Sequence, residues 1–327
     1  MTLLLREADV RQLVTMDETI PLMEDALRAF STGGVVQPVR TAVPVHPYGG
    51  FVALMPAYLT AQEALGAKAV TFFPRNADRG LPTHLAMILL WDSATGELLA
   101  MIDGRLITEM RTAATSAAAT KALARPSAAV LGILGAGVQA RSHLEALRLV
   151  RPLERIRVWS RTIARARAFA EEMTNRHRIP VQAVGTPEEA VREAQLIVTT
   201  TSSQTPVLEG RWVAPGTHIN AVGAPRPDWR EMDSALVARA SLFVDSRAGA
   251  LVEAGDVLLA IREGAITEAH IRGEIGEVLA DKIEGRQTAE EITLFKSLGM
   301  AVEDVATARW VYERARERGI GQHIEMA

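Results

Sequence analysis

The stretch AAVLGILGAGVQARSHLEAL, residues 128–147, constrains this chain more than any other. An apolar run, Val130–Leu134, meets Gly135 and Gly137, then the small Ala140, and an amphipathic segment follows. That order describes a strand, a tight turn and a helix. Gly135 suits the turn, Gly137 keeps the approach to the first helical N–H groups clear, and Ala140 lets the helix pack against the strand. Gly135, Ala136, Gly137, Val138 and Gln139 then form a cradle of backbone donors at a helix N-terminus, where an anion is favoured. In this context the loop predicts a dinucleotide site.

The pattern around the loop repeats. Strands are expected at roughly 128–134, 155–160, 181–184, 195–201, 217–222 and 241–245, with helices between them. This alternation predicts an α/β fold, a Rossmann-type doubly wound parallel sheet. Residues 35–110 read differently, as closely spaced strands and turns, and predict a second, α+β domain with an antiparallel or mixed sheet. Within it LAMILLW, 85–91, reads as a buried strand. Asp17 is a plausible N-cap for an early helix that Gly33-Gly34 stops. The Ala-rich stretch 106–124 and the segment from Met300 read as helices.

A chain of 327 residues suits two domains. The net charge of −3 gives no strong field for nucleic acid or an anionic membrane. With no cysteine, disulfides, thiolate catalysis and Cys-based zinc sites are excluded. The N-terminal apolar run is too short for a signal peptide, and no run approaches the roughly 20 residues that span a bilayer. A cytoplasmic location is expected. No HExxH or GxSxG occurs, so no metal site is predicted.

The end of the second parallel strand decides which dinucleotide. An NAD-preferring loop places Asp or Glu there for the ribose 2′-hydroxyl. This chain has Ser160, Arg161 and Thr162. A hydroxyl pair with a guanidinium suits a 2′-phosphate, so NADP(H) is favoured and NAD(H) remains possible. The plainer reading of Arg161 is a solvated arginine at a helix start. Thr200 and Thr201 end another strand in hydroxyls suited to ribose and phosphate. Val222, Gly223 and Ala224 end a third in small residues that admit a nicotinamide ring.

Polar residues of the first domain supply the rest. Lys68 sits in an apolar strand, where a lysine needs a partner. Either it is a paired structural ion, or Arg40, Lys68 and Arg111 converge on a substrate carboxylate. In the second case Lys68 is a candidate proton donor, since burial near cations lowers a lysine pKa. His84 is a general acid or a structural histidine.

The chain resembles the ornithine cyclodeaminase/mu-crystallin family. The resemblance rests on VRTAVPV, MPAY, KAVTFFP, RTAATSAAATKAL, ILGAGVQA, VWSRT, HINAVGAPRPDWREMD, GDVLLA and FKSLGMAVEDVA in that order. It is nearest to the ketimine-reductase branch. It implies a homodimer, with residues 1–115 and 303–327 as substrate-binding and dimerisation domain and 116–302 as Rossmann domain. It places substrate and catalytic roles on Arg40, Lys68 and Arg111, and nicotinamide-side contacts on Val222–Ala224 and on Ser297 to Gly299. Two family carboxylates are missing, since Pro225 and Ala53 stand in their places. Asp228 is the candidate substitute, or else a loop residue. Without those acids the expected activity is NAD(P)H-dependent reduction of a cyclic imino acid, Δ1-pyrroline-2-carboxylate or Δ1-piperideine-2-carboxylate. The alternatives are a cyclodeaminase- or dehydratase-type lyase, an alanine-type amino-acid dehydrogenase and a non-catalytic binder.

Overall fold

The computed structural model describes residues 1–325, and only the backbone of Ala77. In chain order the elements are β1 (Thr2–Leu5), α1 (Glu7–Val10), α2 (Met16–Ser31), β2 (Val35–Val36), β3 (Thr41–Val45), β4 (Gly50–Leu59), β5 (Ala64–Phe72), β6 (His84–Asp92), β7 (Leu98–Asp103) and α3 (Arg105–Leu123). Then follow β8 (Val130–Leu134), α4 (Val138–Val150), β9 (Arg155–Trp159), α5 (Ile163–His177), β10 (Val181–Ala183), α6 (Pro187–Val191), β11 (Leu196–Thr199) and β12 (His218–Ala221). The remainder is α7 (Ser234–Arg239), β13 (Ser241–Val244), α8 (Arg247–Glu253), α9 (Gly255–Arg262), β14 (Ile271–Glu274), α10 (Ile275–Leu279), β15 (Thr293–Lys296), α11 (Ala301–Arg318) and β16 (Gln322–Ile324).

The chain divides into two units. The first is Met1–Arg111 with the segment from Gly299 on; the second is Thr112–Leu298. The first unit holds a mixed sheet in the order β16-β1-β7-β6-β5-β4-β2, with β3 also paired to β4. Only β1 and β7 run parallel in it. Alternation splits β4, β5 and β6 into two faces. Ala53, Met55, Lys68, Val70, Ile88 and Leu90 are buried on one. Helix α11 packs on that face, so close that a Cβ on Gly66 would lie 3.1 Å from Val305. On the other face Leu54, Leu85 and Met87 are 56%, 48% and 36% exposed. The LAMILLW strand is therefore buried on one side only.

In the second unit eight strands are all parallel, in the order β10-β9-β8-β11-β12-β15-β13-β14. The chain crosses from β10 to β11 on the other side of β8, and β15 lies out of sequence between β12 and β13. The core beside it is aliphatic, built from Leu134, Ile197, Ile219, Leu242, Val244 and Leu294. The Ala-rich helix α3 is fully buried at the consecutive residues Ala117, Ala118 and Ala119. One local expectation fails. Helix α2 starts after Thr15, not at Asp17, which lies in its first turn and complements the helix dipole there. No helix among the described residues is long and apolar enough to cross a membrane. The described residues likewise hold no group of three side chains able to bind a metal.

Candidate functional site

In the first unit a cluster of charges lies where α11 meets the inner sheet face. Lys68, 1% exposed, projects there from β5. Its Nζ is 2.5 Å from Asp304 Oδ2. Arg111, 4% exposed on α3, holds the other Asp304 oxygen through Nε at 3.0 Å and Glu303 through Nη1. Both acids are fully buried in the first turn of α11. Arg40 stands just before β3, near enough to disfavour the charged form of Lys68.

Burial lowers the Lys68 pKa to about 8; Asp304 opposes that fall, while Arg111 and Arg40 assist it. The lysine therefore still carries its proton at neutral pH but releases it easily. His84, at the start of β6, is lowered to about 4 by burial and then by Lys68 and Arg111. The imidazole is therefore uncharged at neutral pH, which counts against His84 as a general acid there. Arg111 is held in place on two sides. Two of its nitrogens already hold buried carboxylates, so it is a fixed group with one remaining edge. Gly299, at φ +80°, packs against that guanidinium and has no room for a side chain. This packing, within the first unit, explains the glycine.

In the second unit the glycine loop joins β8 to α4. Gly135 has φ +117°, and a Cβ there would lie 2.7 Å from Thr200 Oγ1 and 2.8 Å from its carbonyl. Only glycine fits. Gly137 is the N-cap of α4, with no side-chain cap and open space where a Cβ would point. The first N–H groups, those of Val138 and Gln139 among them, are left for an external acceptor. Ala136 completes the loop. Gln139 Oε1 and Ser297 Oγ are buried without a hydrogen-bond partner. An uncapped helix end over a glycine cradle, with orphaned buried polar atoms in the same unit, fits a dinucleotide.

Ser160, Arg161 and Thr162 follow β9 directly, and Arg161 is exposed. Thr200 and Thr201 follow β11, and Val222, Gly223 and Ala224 follow β12, all at carboxyl ends of parallel strands. Gly223 is small for an unforeseen reason: a Cβ would strike the buried Glu231 carboxyl and the Thr201 carbonyl. Ala224 adopts φ +56°. Asp228 lies exposed in the following loop and pairs with Arg226 at 3.3 Å, as a loop residue does. Glu303, Asp304, Glu231, Asp256 and Lys296 were not foreseen. The one signal for the first two was an acid pair inside the small and apolar run MAVEDVA.

Comparison with known proteins places this geometry. Residues 1–319 match the ornithine cyclodeaminase/mu-crystallin family. The chain belongs to the ornithine cyclodeaminase/mu-crystallin family. Among the relatives in this family, the ketimine reductase mu-crystallin of Mus musculus is 48% identical over 299 residues, 90% of this chain and 91% of that one. Of the solved structures, Thermococcus litoralis Δ1-pyrroline-2-carboxylate reductase, in complex with NADH and L-proline, superposes with a TM-score of 0.97 at 42% identity. That match covers 99% of this chain and all (100%) of the other. An archaeal alanine dehydrogenase dimer with bound NAD gives a TM-score of 0.95 at 36% identity, over 100% and 99% of the two chains.

Proposed function

We propose that this chain is an NAD(P)H-dependent reductase of cyclic imino acids, converting Δ1-pyrroline-2-carboxylate or Δ1-piperideine-2-carboxylate to L-proline or L-pipecolate. The observation that carries this reading is the buried Lys68, ion-paired to Asp304 and within the field of Arg111 and Arg40, in a family member 48% identical over 299 residues to a ketimine reductase.

Arg40 and the open edge of Arg111 take the substrate carboxylate through charge-assisted hydrogen bonds. Glu303 and Asp304 hold Arg111 so that its fork does not swing, which lowers the ordering cost of binding. Lys68 Nζ gives a proton to the ring nitrogen and regains one from solvent. Asp304 keeps the lysine charged until that transfer. A bound dinucleotide would supply the hydride that the C=N carbon takes up. The loop Gly135–Gln139 holds its pyrophosphate, and Thr200, Thr201 and Ser297 contact its ribose and nicotinamide side. Ser160, Arg161 and Thr162 hold a 2′-phosphate, so NADPH is preferred.

Ala53 is buried on the inner sheet face and Pro225 is exposed, and neither offers a carboxylate to a distal ammonium. That disfavours ornithine cyclisation. The protein acts as a homodimer through the apolar outer face of β4–β6. A dimeric neighbour supports this, as does the exposure of Leu54, Leu85 and Met87 in the single chain.

The test mixes purified protein with NADPH and Δ1-piperideine-2-carboxylate and follows the reduced nicotinamide by absorbance. Parallel runs use the five-membered ring, pyruvate plus ammonia, and L-ornithine plus NAD. Oxidation of NADPH with either ring is the expected result. Silence with both rings, with proline and ammonia formed from ornithine, overturns it.

A further inference from the structure

Three ionisable side chains are sealed in the second unit: Glu231 at 0%, Asp256 at 2% and Lys296 at 1% exposure. Lys296 Nζ is 2.9 Å from Asp256 Oδ2 and also donates to the carbonyl of Gly223. Asp256 Oδ1 accepts the backbone N–H groups of Glu231 at 2.8 Å and Met232 at 3.2 Å. The Glu231 carboxylate accepts the Thr199 hydroxyl at 2.6 Å and the Thr201 N–H at 2.5 Å. One unbroken run of bonds thus ties residue 296 to both ends of the 223–232 loop and to the end of β11.

The packing around it has no slack. Gly223 and Gly255 have no room for a Cβ, the first against Glu231 and the second against the carbonyls of Arg226 and Trp229. Buried ion pairs are weak contributors to stability and are often replaceable by apolar side chains. What this one supplies is definition, because it fixes two loops at the carboxyl ends of parallel strands.

The sheet order says what those loops face. β9 lies on one side of β8, and β11 and β12 lie on the other. A dinucleotide with its pyrophosphate at the β8–α4 loop and its adenosine ribose beside β9 extends its other half over β11 and β12. We propose that Lys296, Asp256 and Glu231 form a buried clasp that positions the nicotinamide half of the cofactor, an inference that rests on the reductase reading above. They are positioning residues, which act through Thr201, Gly223 and Ala224.

The experiment compares two ligands by calorimetry: the whole dinucleotide, and ADP-ribose with and without a 2′-phosphate, which lacks only nicotinamide. Asp256→Asn and Lys296→Met are measured beside the unaltered protein, with kcat on the cyclic imine. The expected result is ADP-ribose affinity within about twofold of normal, with dinucleotide affinity or kcat reduced about tenfold or more. Equal losses for fragment and whole dinucleotide, or no loss for either, overturn the proposal. If the unaltered protein binds neither ligand, the cofactor reading itself falls, and the clasp with it.

Should those two variants fail to fold, Thr199→Val carries the same comparison. It keeps the shape and removes one hydrogen bond, so a selective loss of roughly fivefold is expected, with recovery in Thr199→Ser. A Thr199→Val protein with unchanged selectivity overturns the clasp.

Discussion

Asp304 gives one oxygen to Lys68 and the other to Arg111, and this sharing sets the acid strength of the lysine. As the proposed proton donor, Lys68 must be protonated to act, and burial lowers its pKa to about 8. Imine reduction therefore falls as pH rises through that value. Asp304 raises the Lys68 pKa, so Asp304→Asn moves the descending limb of kcat/KM to lower pH. An unmoved limb in that pH profile would assign the proton to another group. Stability follows the opposite sense. The folded state gives up the Lys68 proton before the unfolded chain does, so this residue's contribution grows as pH climbs from about 8 toward the ordinary lysine range. Lys68→Ala should cut turnover by about a hundredfold or more, with NADPH binding by calorimetry near normal. Arg161→Asp should weaken NADPH by tenfold to about a hundredfold and leave NADH nearly unaffected, since charged hydrogen bonds contribute roughly 1.5–3 kcal/mol. Equal losses on both cofactors would remove the 2′-phosphate assignment.

Among the elements, α3 shows how a small-residue helix is held at its end. Arg151 reaches its C-terminal turn and donates Nη2 to the carbonyls of Thr120, Lys121 and Ala124, and Nε to Arg125. The Thr120 carbonyl also accepts the Ala124 N–H, whereas carbonyls in the last turn of a helix otherwise lack intrahelical partners. Arg151→Met should cost about 2–4 kcal/mol and lower the thermal midpoint by several degrees, with kcat little changed. The glycine loop and the strand–helix alternation were legible because period and punctuation are local properties. β15 was not, because its place between β12 and β13 is set by packing and leaves no mark in the local pattern. The smallness of Gly223 and Gly299 has a further cause that the sequence did not reveal, since a Cβ would strike Glu231 at the first and Arg111 at the second. A sequence shows that a position is small without showing what presses on it. Glu303 and Asp304 escaped notice because acids in a helix's first turn are ordinary dipole partners. Only the fold brings the cations from far along the chain to meet them.

At the scale of the whole molecule, the outer sheet face is the feature that asks for a partner. Leu54 and Met87 flank Ala69 in register across β4, β5 and β6, and beside β3 Val43 is 56% exposed. An apolar face of this kind is more often an interface than a bare surface. Leu54→Glu with Met87→Lys should shift the sedimentation coefficient from that of a dimer to that of a monomer. A wild-type protein that sediments as a monomer would remove the dimer from the proposal.

The buried charge cluster of the first unit also sets a timetable. Arg111 is 192 and 193 positions from its two carboxylate partners, and Lys68 lies further still from Asp304. During synthesis the cations emerge long before the acids. Until α11 leaves the ribosome, burying Lys68 and Arg111 would leave two uncompensated charges in an apolar interior, at a cost of several kcal/mol each. The nascent first unit must therefore wait, its sheet open to water or to a chaperone, while the second unit has all its strands. A message truncated before codon 303 would yield a chain that lacks the buried carboxylate partners of Lys68 and Arg111.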